Sequence, residues 1–415
     1  MAITRRALMR RGAMALVGTA AIPGFLTRAV MAQAASASAS RRKLVVVFQR
    51  GAADGLNIVV PHGEPSYFAM RPTIAIPQGQ VIDLDGFFGL HPAMASLKPL
   101  WDQKHLAIVH AVGSPDTTRS HFDAQDYMES GTPGIKATED GWLNRALRAE
   151  DERLRTSETP FRAVALSAQV PRTLEGRIPA IALNNVRDFH LGGAGAAPAN
   201  ASFEAIYGET PDAALRGAGT ETFEAMKMLR ATNPEKYTPT PGADYPKGGF
   251  GDSMKQVAQL LKADLGVEAA FADVGGWDHH ENEGSVNGQL ADRLREFSQS
   301  LAAFWTDMGP QAEEIVVVTM SEFGRTAREN GTRGTDHGHA NVMLVMGGPV
   351  KGGRVYGRWP GLAPEQLNEG RDLSATTDFR QVLAEAAYKQ IGARDMNLIF
   401  PEAGIGPQRF LNLLG

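Results

Sequence analysis

The run Ile315-Val316-Val317-Val318-Thr319-Met320-Ser321-Glu322 decides how this chain is read, together with Thr335-Asp336-His337-Gly338-His339 and Val342–Met346 farther along. A β-branched stretch with no charge until its last residue is the pattern of a strand buried on both faces. Glu322 arrives where that strand runs out, and a loop rich in Gly, Asn and Arg follows. The Asp-His-x-His cluster then precedes a second apolar run that ends at Gly347-Gly348-Pro349. Carboxylate and imidazole held at strand ends suit Zn²⁺, Mn²⁺ or a related divalent ion.

The same layout recurs along the chain. Leu44–Phe48 (LVVVF) reads as a central strand and opens into a small-residue loop carrying Asp54 and Asn57. Leu106–Val112 is a second strand, followed by Gly113-Ser114-Pro115-Asp116 and an expected helix over Thr117–Glu129. Further strands are expected over Phe161–Leu166, Ile178–Leu183 and Glu268–Ala272, and helices over Pro92–Lys104, Asp252–Leu265, Asn287–Met308 and Thr377–Lys389. Strands alternating with helices predict an α/β fold with a mostly parallel sheet covered on both faces, which gathers ligands at the carboxyl ends of its strands.

Four of the loops that follow strands carry chemistry. They hold Asp54 with Asn57; Thr117, Thr118, Arg119, Ser120 and His121; Asp278, His279 and His280; and Glu322 with Asp336, His337 and His339. Six of the ten histidines (His110, His121, His279, His280, His337 and His339) fall in or beside these loops. Asp54 beside Gly55 also suits a plain turn, and Thr117, Thr118 and Ser120 also suit helix caps. A hydroxyl at a helix start is equally where a nucleophile or a bound oxyanion gains from the dipole.

Composition narrows the classes. The 415 residues are 43% hydrophobic and 21% charged with net charge −4, and no basic block lies in the body, so nucleic acid is not an expected partner. Cysteine is absent, which excludes disulfides, thiolate ligands and a cysteine nucleophile. Residues 1–32 begin with Arg5-Arg6 and Arg10-Arg11, continue through an apolar stretch and end on Val30-Met31-Ala32. They predict a twin-arginine export signal, with the Tat translocase as a transient partner and a periplasmic or secreted mature protein without a membrane span. Residues 33–42 read as a linker, and 43–415 as one domain with an inserted cap-like segment at about 188–249.

Taken together, Phe48-Gln49-Arg50-Gly51 through Asn57, Ser120-His121-Phe122-Asp123, Gly275-Gly276-Trp277-Asp278, Ser321–Thr326 and Gly334–Gly338 resemble the family called domain of unknown function 1501. That family is grouped with the alkaline phosphatase-like and sulfatase superfamily. The resemblance implies an alkaline phosphatase-like three-layer sandwich and a metal-dependent hydrolase of phosphate or sulfate esters, its substrate a small-molecule or glycan ester. It implies one or two divalent ions, Zn²⁺ first, with Mn²⁺, Ca²⁺ or Mg²⁺ as alternatives. Asp54, Asp278, His280 (or His279), Asp336 and His337 would be ligands, with Glu322 and His339 as further ligands or their supports. Ser120, with Thr118 as second choice, would be the nucleophile and His121 a general acid, while Arg119, Asn57 and Arg325 would hold substrate oxygens. The superfamily's Asp-His pair directly follows its strand, whereas here Ser321-Glu322 stands in that place. A non-catalytic exported binding protein that keeps the fold is the alternative.

Overall fold

In the computed structural model, residues 42–150, 159–186, 225, 227–232 and 234–415 are described. The expected signal peptide and almost all of the linker therefore lie outside the described residues. So does 188–224 of the cap-like segment.

Nine strands form the main sheet. In chain order they are β1 (Lys43–Gln49), β2 (Leu106–Gly113), β3 (Ala163–Leu166), β4 (Ile181–Ala182), β5 (Ala269–Val274), β6 (Ile315–Ser321), β7 (Asn341–Gly347), β8 (Arg354–Tyr356) and β9 (Thr377–Asp378). Their spatial order is β8-β2-β7-β6-β1-β5-β3-β4, with β9 also pairing to β2. Every described pairing in it is parallel except those of β7, which runs antiparallel to both β2 and β6. The expected α/β class is what the chain adopts, with β1 and β6 at the centre.

Alternation along the central strands divides the core into two layers. Val45, Val47, Ile315 and Val317 face one side, against α3 (Gly249–Lys262) and α4 (Gln289–Met308). Leu44, Val46, Phe48, Val316, Val318 and Met320 face the other, against α2 (Trp142–Arg148) and α5 (Phe379–Ala386). A strand apolar on both faces has no solvent side, which is why its sequence shows no alternation of polarity.

The antiparallel β7 has a direct consequence for the site. β6 ends and β7 begins at the same edge, so residues 322–340 leave and return there. That loop folds on itself, with Thr326 N bonded to Asp336 O and Gly338 N to Gly324 O. Gly338 is required because a Cβ would lie 2.3 Å from the Arg325 carbonyl carbon.

Several expectations need correction: Thr377–Asp378 pairs as β9 before α5 begins, and the strand expected over Ile178–Leu183 spans only Ile181–Ala182. The helix expected from Thr117 begins at His121 as α1 (His121–Ser130). Ser114 Oγ accepts from Asp116 N, Asp116 Oδ1 from Thr118 N and Thr118 Oγ1 from Ser120 N. These side chains take the amides that another helical turn would need. Within the cap-like segment, Thr240 N, Tyr237 Oη and Tyr245 Oη all donate to the carboxylate of Asp307, at the C-terminal end of α4. That end leads into the start of β6, so this part sits at the edge opposite the 322–340 loop and does not cover it. Among the described residues no helix is long and apolar enough to cross a membrane.

Candidate metal centre

Three loops at the carboxyl edge bring His121, Asp278 and His337 to one point, with His280 beside the last two. His121 opens α1 after β2, Asp278 and His280 follow β5, and His337 comes from the loop after β6. The Nε2 atoms of His121 and His337 are 3.0 Å apart, as are those of His280 and His337. Asp278 Oδ1 lies 3.0 Å from His280 Nε2 and 3.3 Å from His337 Nε2, and Oδ2 lies 3.4 Å from His121 Nε2. Ligand atoms of His121, Asp278 and His337 all fall within 4.8 Å of one another.

The far side of each ring tells which nitrogen carries the proton. His121 Nδ1 is 2.8 Å from Glu322 Oε1, His280 Nδ1 is 3.1 Å from Asp336 Oδ1 and His337 Nδ1 is 2.9 Å from the Arg119 carbonyl. A carboxylate and a carbonyl only accept, so all three rings donate from Nδ1. When neutral, His121 and His337 turn bare Nε2 lone pairs toward each other beside the Asp278 carboxylate, with His280 Nε2 next to His337. In that state Nε2 atoms 3.0 Å apart repel unless a proton or a cation sits among them. Nitrogen and oxygen donors alone, with every outer nitrogen braced by an acceptor, fit a divalent ion such as Zn²⁺.

The surroundings hold this arrangement in place. Glu322 is buried, and its Oε1 also accepts from Gly51 N and Gln125 Nε2 at 2.8 and 2.9 Å. Burial alone would raise its pKa, but the bonds from His121 and Gln125 outweigh that and lower it. The bond to Glu322 in turn raises His121. Burial likewise opposes Asp278's ionisation, yet the Arg325 guanidinium bonded to Oδ1 holds its pKa below the usual carboxylate value. Gly51 has φ +117°, and a Cβ there would meet Asp278 N at 3.0 Å, so the β1 loop passes close beneath the site.

Other expected site residues lie elsewhere. Asp54 is buried and its carboxylate is gripped by Arg71, with Arg71 Nη2 3.0 Å from Oδ1, so it does not reach the histidine cluster. Asn57 is also buried, its Oδ1 accepting from Tyr67 Oη and Arg71 Nη1 and its Nδ2 donating to Ile74 O, which leaves nothing for substrate. Arg325 donates from Nε to Ala52 O, from Nη1 to Thr335 O, and from Nη2 to Gly51 O, Trp277 O and Asp278. It is a buried brace rather than a substrate clamp. The Arg119 guanidinium is engaged by Asp372 and Glu369, and only its carbonyl serves the site. His339 Nε2 bonds to the Ser114 carbonyl at 2.9 Å, while Asp336 and Glu322 bond the Nδ1 atoms of His280 and His121. Thr118 Oγ1 accepts from Ser120 N, whereas Ser120 makes no capping bond with its own hydroxyl. His121, expected as an acid, stands among the converging rings. Buried His279, whose pKa burial lowers to about 4, is not the partner of Asp278; His280 is. Arg71, Gln125 and Glu283 were not legible, since none lies in a recognisable spacing.

A family model described as "Protein of unknown function (DUF1501)" matches residues 41–399. Among solved structures, the chain is similar to a PsFucS1 sulfatase from Pseudoalteromonas sp., with 14% identity, 94% of this chain and 76% of that chain covered, and a TM-score of 0.42. No curated protein matches.

Proposed function

The chain belongs to the DUF1501 family, and from that premise we propose that it is an exported, metal-dependent hydrolase of phosphate or sulfate esters. One observation carries the reading: the Nε2 atoms of His121 and His337 meet the Asp278 carboxylate, with His280 Nε2 alongside, while each Nδ1 faces an acceptor. His121, Asp278, His280 and His337 would hold a single ion. When bound, that ion supplies a Lewis acid that polarises an ester oxygen and acidifies a nearby hydroxyl or water.

The chain's own groups do the rest. Glu322, Asp336 and the Arg119 carbonyl keep the three imidazoles in one tautomer and one orientation. Arg325 restrains Asp278 at Oδ1 and ties it to the β1 loop. Ser120 directly precedes His121 at the start of the ten-residue α1, and its hydroxyl is not used for capping. It is the candidate nucleophile, and the helix amides behind it favour the negative charge that develops. Asp278 and His280 are about four-tenths exposed, so water reaches the same point and is the competing nucleophile.

The test is the metal content of the mature protein, purified without a polyhistidine tag, beside His337→Ala. Near-stoichiometric zinc, manganese or iron that the variant loses, with turnover of 4-nitrophenyl phosphate or sulfate, is the expected result. No metal in the wild type after reconstitution would sink the reading. Retained turnover in Ser120→Ala would assign the attack to water.

A further inference from the structure

A phosphate or sulfate ester brings negative oxygens that the ion alone cannot hold, so a cation should stand beside the cluster. Two arginines act electrostatically on its groups: Arg325 on His121, Asp278 and His337, and Arg371 on Asp336. Arg325 is buried with all its nitrogens engaged, as described above. Arg119, the other expected clamp, is held by Asp372 and Glu369.

Arg371 differs. Its Nη2 donates to the main-chain carbonyl of His337 at 2.7 Å, which fastens the guanidinium beside a candidate ligand. Asp372 Oδ2 stands 3.7 Å from Nη1, beyond hydrogen-bond reach, and is already engaged by Arg119 Nε at 3.0 Å. The Arg371 side chain is 40% exposed, and among the described residues its guanidinium makes no hydrogen bond besides the one to the His337 carbonyl. We propose that Arg371 forms an anion subsite that takes the non-reacting oxygens of a phosphate or sulfate group. This rests on the hydrolase reading for its substrate class. The planar fork suits two oxygens of a tetrahedral oxyanion, and the bond to His337 orders it beforehand.

The probes are inorganic phosphate and inorganic sulfate, titrated calorimetrically into the metal-loaded wild type, Arg371→Lys and Arg371→Ala, with metal content measured in each. Arg328→Ala removes an exposed charge from the 322–340 loop and serves as the control. Loss of charged hydrogen bonds in Arg371→Ala is expected to weaken binding on the order of ten- to a hundredfold. Lysine should recover part of that, metal content should not change, and the loss in turnover should fall on KM more than on kcat. Equal affinity in wild type and Arg371→Ala overturns the subsite, as does an equal loss in Arg328→Ala, which would indicate a general field. Anion binding that depends on Arg371 without turnover of any 4-nitrophenyl ester keeps the subsite and removes the hydrolase. A wild type that binds neither anion overturns the subsite.

Discussion

Two polar clusters hang from the carboxyl edge of this sheet, and they are built from similar residues. In the first, the Nε2 atoms of His121, His280 and His337 gather beside the Asp278 carboxylate. In the second, Asp54, Arg71, Asn57, Tyr67, Glu283 and Thr335 are buried and joined donor to acceptor. Arg71 bonds to Asp54, to Asn57 and to the carbonyls of Thr326 and Ala327, while Thr335 Oγ1 donates to Glu283 Oε2 at 2.8 Å. One cluster is complete within the protein, whereas under the proposed function the other would be completed by a cation. The difference teaches that the types of residue in a strand-end loop do not mark a site. What marks it is a surplus of acceptors that the protein itself leaves unanswered.

The largest test breaks the closed cluster. Arg71→Met leaves the Asp54 carboxylate buried beside Glu283 without its cation, and unfolding in urea should show a loss of ~3–5 kcal/mol. The remaining folded protein should still take up metal, because Asp54 is not a ligand. A variant that keeps its stability but loses its metal would merge the two clusters into one site.

Next comes the open cluster. His337→Ala should abolish metal uptake and cost little stability in the metal-free protein, because the ring is partly exposed at the surface. Wild type should lose about 2.7 kcal/mol when an ion present at a hundred times its Kd is removed by chelator, a loss absent from the variant. The wild type should hold one ion per chain, since Arg71 already neutralises Asp54. Two ions would refute that count.

A finer contrast separates ligand from brace. Glu322→Gln keeps an oxygen that can accept from one donor but loses the charge, so metal affinity measured against a competing chelator should fall about 10- to 100-fold. Complete loss would make Glu322 a ligand.

The smallest effect concerns pH. Burial first, and then the Asp54 charge, push Glu283 well above the ordinary value of 4.5, while Arg71 outweighs burial to hold Asp54 below its own ordinary value. A carboxyl raised on folding binds its proton more tightly in the native state. Its contribution is therefore full below 4.5 and declines as pH rises toward the folded value. Glu283→Gln should flatten that decline and change stability at pH 5 by no more than about 1 kcal/mol. An unchanged slope between pH 5 and 8 would show that Glu283 is ionised in the native protein.

Local pattern was enough for the strands, because a β-branched run without polar alternation has few other ways to bury itself. It was also enough to place chemistry in the loops after β2, β5 and β6. Which residues in those loops converge was not legible. Asp54 and Asp278 read alike in sequence, yet one faces Arg71 and the other three imidazoles. Arg119 and Arg325 read as anion clamps, yet Nε and Nη2 of the first go to Asp372 and Glu369, and the second is held by the carbonyls of Gly51, Ala52 and Trp277, all far away in sequence.

By itself the sequence determined the α/β class, the central strands, the absence of thiolate chemistry and the three loops from which the site is drawn, because these follow from short-range periodicity and composition. Tertiary structure alone decided that β7 turns back to return the 322–340 loop to the same edge, that Arg71 closes around Asp54, and that the Nε2 atoms of His121 and His337 meet. Those outcomes depend on donors and acceptors from different elements, 17 residues apart for Arg71 and Asp54 and 216 for His121 and His337, and pairing of that kind leaves no trace in local spacing.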